Sequence, residues 1–220
     1  MIKILGVCGS RVKDGNMEAL LRESFKQLDI HPDAQGEIIT LAGRDINGCT
    51  HCNWCVRNQE EGRFCVQDDG MTEIFAKVLE ADGLVVASPA HLGRLSGILA
   101  NMIDRLRAFV HGNVYKRQMK NKIGGAMAIA YFRGGGIETT LLSINLLFLT
   151  LQMILATSGL YQMGAGAFST RNGLGQFEKE PRHLVLEDEY GVMSGRMLLD
   201  RVYELARTFQ AGRAALEKNG

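Results

Sequence analysis

The chain has 220 residues, enough for one sizeable α/β domain and too few to require two. Its 25 Lys and Arg residues balance 24 Asp and Glu residues, and the formal net charge of +1 argues against a nucleic-acid or anionic-membrane binder. The N-terminus lacks a signal-peptide pattern, and the most apolar stretch, residues 141–155, is shorter than a bilayer span. We therefore expect a cytoplasmic protein with small-molecule or protein partners, without nucleic acid or membrane.

Buried-strand patterns alternate with helical periodicities along the chain. Strands are predicted at 2–8, 36–41, 83–88, 123–130 and 152–158. Helices are predicted at 17–28, 71–81, 97–109, 137–150 and 191–209. This alternation predicts an α/β fold with a doubly wound, five-stranded parallel sheet.

The chain shows no internal repeat or interdomain linker, so we expect a single domain over residues 1–220. Two long loops stand out: a cysteine-rich loop at 48–66 and a C-terminal loop at 168–190. The second is unusually long for a compact domain, which is typical of a lid or an oligomer contact.

Three loops that follow strands carry candidate binding residues. "GSRVKDGN" (9–16) offers glycine turns, Ser10 and a helix N-terminus, which together suit a phosphate. "SPAHLG" (88–93) follows the third strand, and "YFRGGGIETT" (131–140) follows the fourth. In a sheet of order 2-1-3-4-5 these loops face one crevice, where ligands of such sheets bind. Each loop alone is equally compatible with an ordinary turn.

The loop "CTHCNWCVRNQEEGRFC" holds four of the five cysteines, Cys49, Cys52, Cys55 and Cys65. Cys-x2-Cys-x2-Cys with a further cysteine is typical of the thiolate ligands of an iron–sulfur cluster. A zinc site, a redox dithiol and free thiols remain alternatives from spacing alone. Cys8, within the first strand, is predicted to be a buried core residue.

Together, these motifs resemble those of the NADPH-dependent FMN reductase superfamily of flavodoxin-like proteins, and within it the iron–sulfur flavoproteins. "GSRVKDGNM" resembles the stretch that binds the FMN phosphate, with Arg11 where proline and Met17 where a hydroxyl residue is usual. "SPAHLG" resembles the loop that lies against the isoalloxazine, and "RGGGIE" the loop at its pyrimidine end. The resemblance implies FMN contacts from Ser10, Arg11, Lys13, Gly15, Asn16, Met17, Pro89, Ala90, His91, Leu92, Gly93, Arg133, Gly134, Gly135 and Gly136.

The same resemblance implies a [4Fe–4S] cluster held by Cys49, Cys52, Cys55 and Cys65, although the last gap is nine residues where the family has four to seven. The implied function is electron transfer between FMN and the cluster, with NAD(P)H or a one-electron carrier such as ferredoxin as partner. The cofactors carry the chemistry, so no side chain is predicted to be catalytic. A cluster-free NAD(P)H-dependent FMN or quinone reductase and a flavodoxin-like carrier are the alternatives. The apolar helix at 137–150 and the loop at 168–190 predict a homo-oligomer, a dimer or a tetramer.

Overall fold

The structure is a computed structural model that describes residues 1–219. Its strands are β1 (Ile2–Cys8), β2 (Ala34–Thr40), β3 (Gly83–Pro89), β4 (Ile123–Ala130), β5 (Ile154–Ala156) and β6 (Ala165–Phe168). They form one parallel sheet of order β2-β1-β3-β4-β5, with β6 also paired to β4. The predicted flavodoxin-like, doubly wound sheet of order 2-1-3-4-5 is therefore confirmed.

Seven α-helices occur in the described part of the chain. They are α1 (Asn16–Phe25), α2 (Trp54–Arg57), α3 (Met71–Glu80), α4 (Gly97–Arg105), α5 (Arg107–His111), α6 (Ile137–Thr150) and α7 (Glu189–Asn219). The predicted helix at 97–109 is two helices, since the chain bends at Leu106, and the last helix is longer than predicted at both ends. Within residues 1–219, no helix has both the length and the apolar composition needed to cross a membrane.

Two apolar layers enclose the sheet. On one face, the buried side chains of α3, α4, α5 and α6 pack against the sheet, with Phe75, Leu99 and Phe148 among them. On the other face, α1 and α7 pack through residues such as Leu21 and Leu198. Cys8 lies in this second layer with no exposed surface, as predicted. Burial on both faces explains why the central strands are continuous apolar runs.

The fifth position in the sheet is divided between two strands. β5 pairs with the first residues of β4, from Ile123 to Gly125, and β6 pairs with the last, from Met127 to Ala130. Residues 157–164 form a loop outside the sheet between β5 and β6. The predicted strand at 152–158 is therefore wrong at both ends, because β5 spans only Ile154–Ala156. The loop ends at Gly164, where a Cβ would lie 2.1 Å from the Ala126 carbonyl oxygen. Glycine is needed there because the chain returns directly onto β4.

Candidate functional site

The loop after β1 is joined to the loop after β3 at the carboxyl edge of the sheet. Gly9 N donates to Ala87 O at 2.7 Å, and the Ser96 hydroxyl donates to Gly9 O. Ser96 N in turn donates to Ser88 Oγ at 3.0 Å, and Ser96 Oγ accepts from Leu99 N, which caps α4. Ser96 was not singled out in the sequence, although a serine before a helical pattern is a capping signal. It fixes these two predicted loops against each other.

The loop after β4 touches the loop after β3 through two glycines. A Cβ on Gly136 would lie 2.5 Å from Gly93 Cα, and both residues have positive φ angles, +96° and +77°. Thr139 Oγ1 donates to Gly93 O at 2.6 Å. The three predicted loops therefore form one continuous edge, as the strand order requires.

The first loop presents backbone donors more than side chains. Ser10 is buried, and its Oγ accepts from Val12 N at 3.0 Å. Among the described residues no side chain caps α1, so the N–H groups of its first turn remain available to an anion. Met17 is 1% exposed, which leaves its backbone as the part that faces the loop. Arg11 and Lys13 are exposed and add positive charge at this loop.

Acidic groups and the 168–190 segment lie against this loop. Glu18 Oε2 accepts from Asp14 N at 3.0 Å. Asp14 pairs with Arg182 at 3.1 Å and lies 3.4 Å from His183 Nε2. Asn16 Oδ1 accepts from Val185 N at 3.0 Å, so this predicted cofactor residue also holds the segment. The loop is therefore braced from the C-terminal side of the chain.

The loop after β3 is a tight turn. Ala90 N donates to Ile129 O at 2.8 Å, which continues the pairing of Pro89 with Ile129. His91 N donates to Arg94 O at 2.7 Å, and this turn presents Leu92 fully to solvent. Exposed apolar and aromatic groups at the edge of a cofactor crevice suit packing against a flat ring.

The Arg133 side chain is held by the segment that follows β6. Its Nε donates to Asn172 O at 2.8 Å, and its guanidinium lies 5.6 Å from the centre of the Phe168 ring. It lines a cavity of about 600 Å³ that also contains Tyr161 and Asp188. Gly136 keeps the loop backbone close to Gly93, but the Arg133 side chain follows the 168–173 segment.

The cysteine loop places three of its thiols within electrostatic reach of the fourth, Cys55. Burial raises the pKa of Cys55; the charge of Arg107 acts to lower it, and the charges of Cys65, Cys49 and Cys52 act to raise it. A hydrogen bond from the backbone N–H of Trp54 lowers the pKa of the exposed Cys52. N–H groups that point at sulfur are typical of sites that stabilise thiolates.

The nine-residue gap before Cys65 is a folded segment. Gln59 is buried, and its Nε2 donates to Phe64 O at 3.0 Å and to Ala108 O at 3.3 Å. Gln59 Oε1 accepts from Tyr115 N at 3.2 Å, and the Phe64 ring stacks on Tyr115 at 4.2 Å. These contacts return the chain to the other cysteines despite the long spacing.

The cysteine loop lies against α4, α5 and the segment after α5. Asn101 Nδ2 donates to Ile46 O at 3.0 Å, Arg107 Nη2 to Asn53 Oδ1 at 2.7 Å, and Asn113 N to Cys55 O at 3.1 Å. Across residues 1–219, no three His, Cys, Asp or Glu side chains are arranged to hold a metal ion. The four thiols are thus neighbours whose sulfurs do not yet converge on one point.

Comparison with known protein families identifies the family of this chain. Residues 2–167 match the family described as NADPH-dependent FMN reductase. The chain belongs to this family. It is therefore a flavin-dependent oxidoreductase, and the crevice formed by the three loops is where such a fold binds its ligand.

Relatives and solved structures agree with this assignment. An iron–sulfur flavoprotein of Methanocaldococcus jannaschii is 37% identical over 153 residues, which cover 70% of this chain and 75% of that protein. A second iron–sulfur flavoprotein of the same organism is 28% identical over 207 residues, covering 94% and 98%. The structure of RosB with bound 8-demethyl-8-formylriboflavin-5'-phosphate has a TM-score of 0.73 at 15% identity, covers 99% of this chain and 88% of that one, and supports the fold alone. The chain is thus related to iron–sulfur flavoproteins within the family.

Proposed function

We propose that this protein binds FMN in the crevice and a [4Fe–4S] cluster in the cysteine loop, and transfers electrons between them. FMN exchanges two electrons with a donor such as NAD(P)H and can release them singly, whereas a cluster carries one electron at a time to a carrier such as ferredoxin. The observation that carries the cluster proposal is that one folded loop places the thiols of Cys49, Cys52 and Cys65 within electrostatic reach of Cys55.

The crevice residues fit FMN by their chemistry. Backbone N–H groups at the start of α1, with Ser10, Gly15 and Asn16 around them, would hold the phosphate, while Arg11 and Lys13 add charge. The turn from Pro89 to Gly93 and the backbone of Gly134 to Gly136 would flank the ring system. The direction of Arg133 suits a ligand in the adjoining cavity as well as the flavin edge.

The cysteine loop fits a cluster by its donor set. Cys49, Cys52, Cys55 and Cys65 supply four thiolates, and His51 N donates to Cys49 Sγ at 3.4 Å. Such N–H···S contacts offset the negative charge that thiolate ligands bring. The sulfurs would converge when a cluster binds, as metal ligands do in loops that fold around their metal.

A cluster-free NAD(P)H-dependent FMN or quinone reductase is the second candidate. The matched family is described by NADPH and FMN without a cluster, and none of the residues proposed to hold FMN is a cysteine. In this alternative, the four cysteines would have structural or thiol roles in the loop and would not bind a cluster.

Anaerobic purification followed by iron, sulfide and flavin analysis separates the two. We expect four irons, four sulfides and one FMN per chain. Cys52→Ala should lose the iron and keep the FMN, because no crevice residue is changed. Cys8→Ala, at the buried cysteine outside the loop, is the matched control and should keep both.

Two results would contradict the cluster proposal. In the first, the wild-type protein holds no iron after anaerobic reconstitution but is still reduced by NAD(P)H in steady state. This result would support the cluster-free reductase instead. Equal iron in Cys52→Ala and wild type would show that the metal lies elsewhere.

A further inference from the structure

Arg105, the last residue of α4, is a buried cation at the base of the cysteine loop, 2% exposed. Its Nη1 donates to Asp69 Oδ2 at 2.8 Å and to Asn47 O at 3.1 Å. Its Nη2 donates to Asp69 Oδ1 at 3.2 Å and to Gln67 O at 3.3 Å. Because each of these nitrogens has two hydrogens, four acceptors use all four Nη–H groups.

The fifth N–H group of this guanidinium is the unexplained one. Arg105 Nε is buried and has no hydrogen-bond partner among the described residues. A buried donor without an acceptor is costly and calls for a partner. The charge of a Cys65 thiolate also acts on this guanidinium. Gln67 O and Asp69, which follow Cys65 by two and four residues, bind the same guanidinium, so the Cys65 sulfur is the candidate acceptor for the free Nε–H.

Arg105 remains positively charged in this environment. Burial acts to lower the pKa of Arg105, but the Asp69 hydrogen bonds and the charges of Cys65 and Asp69 hold it above its usual range. Burial likewise acts to raise the pKa of Asp69, and the Arg105 hydrogen bond keeps it low. The pair is therefore ionised, and the bidentate geometry fixes the orientation of the guanidinium.

The same ion pair ties together both ends of the cysteine loop. Asn47 lies just before Cys49, and Gln67 and Asp69 lie just after Cys65, and all three bind Arg105. One side chain thus sets the distance between the first and last cysteines. This link is independent of the nine residues that separate Cys55 from Cys65.

We propose that Arg105 is a positioning residue that holds Cys65 as the fourth cluster ligand and donates its Nε–H to the Cys65 sulfur. This inference rests on the proposed cluster. A reduced cluster is more negative than an oxidised one, so a cation and an N–H donor at a ligand sulfur stabilise the reduced form and raise the reduction potential. Arg105 therefore has two effects, on retention of iron and on potential.

The test compares Asp69→Asn with the double variant Arg105→Gln/Asp69→Asn. The double variant removes both charges, so no lone charge is left buried. In FMN-loaded protein, we expect it to lose iron to a chelator at least tenfold faster than wild type, and to show a lower midpoint potential in an EPR-monitored titration. Asp69→Asn keeps the cation beside Cys65, so its potential should not fall. A purely structural role would leave the potentials unchanged.

Each outcome decides a different claim. Wild type without iron would overturn the proposed function and this inference with it. Wild type with a cluster, but a folded double variant with unchanged iron loss and potential, would overturn the inference alone. If circular dichroism shows that the double variant is unfolded, Arg105→Lys, which keeps the charge but lacks the five-donor fork, should still lose iron faster. Unchanged iron loss in that variant would overturn the inference.

Discussion

Gly136 and Gly93 touch through their backbones, so closely that a Cβ on Gly136 would lie 2.5 Å from Gly93 Cα. This contact joins the loops that follow β3 and β4, two adjacent strands of the sheet. Thr139 fastens the same contact with its hydrogen bond to Gly93 O. The two loops can approach this closely because neither glycine has a side chain.

Gly136→Ala should open this contact, and Gly134→Ala is its matched control. Both glycines have positive φ, but a Cβ on Gly134 would meet nothing within 4 Å. Alanine at Gly134 should cost about 1–2 kcal/mol in backbone strain, and at Gly136 about 1–3 kcal/mol more for the forced contact. Urea unfolding of the flavin-free proteins measures the difference. Equal losses of unfolding free energy in the two variants would show that the contact between the two loops does not contribute to stability.

Asp14→Asn should tighten FMN binding. Asp14 belongs to the proposed phosphate loop and pairs with Arg182 at 3.1 Å, and asparagine tolerates its positive φ of 51°. Removing a negative charge there lowers repulsion of a phosphate and frees Arg182, so the FMN dissociation constant should fall about two- to fivefold at low salt.

Riboflavin, which has no phosphate, is the matched ligand for that measurement. Fluorescence titration should show an effect of Asp14→Asn on FMN, smaller at high salt, and none on riboflavin. An equal change for both ligands would place the phosphate away from Asp14.

The sheet could be predicted from the sequence because local patterns decide it. β1, β3 and β4 are apolar runs followed by loops rich in glycine, and strand order then places three loops at one edge. β6 could not be predicted, since Ala165–Phe168 has few large side chains and pairs with β4 only because β5 ends early. Its existence depends on tertiary contacts.

The direction of side chains at the site was less predictable than their location. Arg133 follows the 168–173 segment because Asn172 O accepts its Nε–H, a contact between residues distant in sequence. The role of Arg105 was also not predictable. Its partners Asn47 and Asp69 flank the cysteine loop, and the spacing of the cysteines in the sequence does not reveal the path of that loop. The FMN and cluster ligands themselves stay predictions.

Lys122 should make stability depend on pH in the alkaline range. Its ammonium group donates to Ala81 O at 2.8 Å and to Leu79 O, and burial lowers the pKa of Lys122 from 10.5 to about 8. Between these values the unfolded chain binds more protons than the folded one, so the free energy of unfolding rises with pH. Below about pH 8 both states are protonated, and the full cost of burying the charge is present.

Lys122→Met removes this dependence. The unfolding free energy of wild type minus that of the variant should rise by about 1–2 kcal/mol from pH 8 to 10.5, since each pKa unit is worth about 1.4 kcal/mol and partial solvent access reduces the total. Urea unfolding under reducing conditions measures it, with Lys120→Met as the matched control for loss of a lysine. A flat difference for Lys122→Met would show that the pKa of Lys122 is not lowered in the folded protein.

Leu146→Glu should dissociate the protein if, as we propose, it forms a homo-oligomer through α6. Leu142, Leu146 and Leu149 lie on one side of α6 and are 47%, 54% and 55% exposed, while the opposite side packs on the sheet. An apolar stripe of this kind is typical of an interface, and a buried carboxylate there is costly. Light scattering should show a dimer or tetramer for wild type and for the control Leu216→Glu, on α7, and a monomer for Leu146→Glu. A wild-type monomer at micromolar concentration, or an unchanged mass for Leu146→Glu, would rule out this face as the interface.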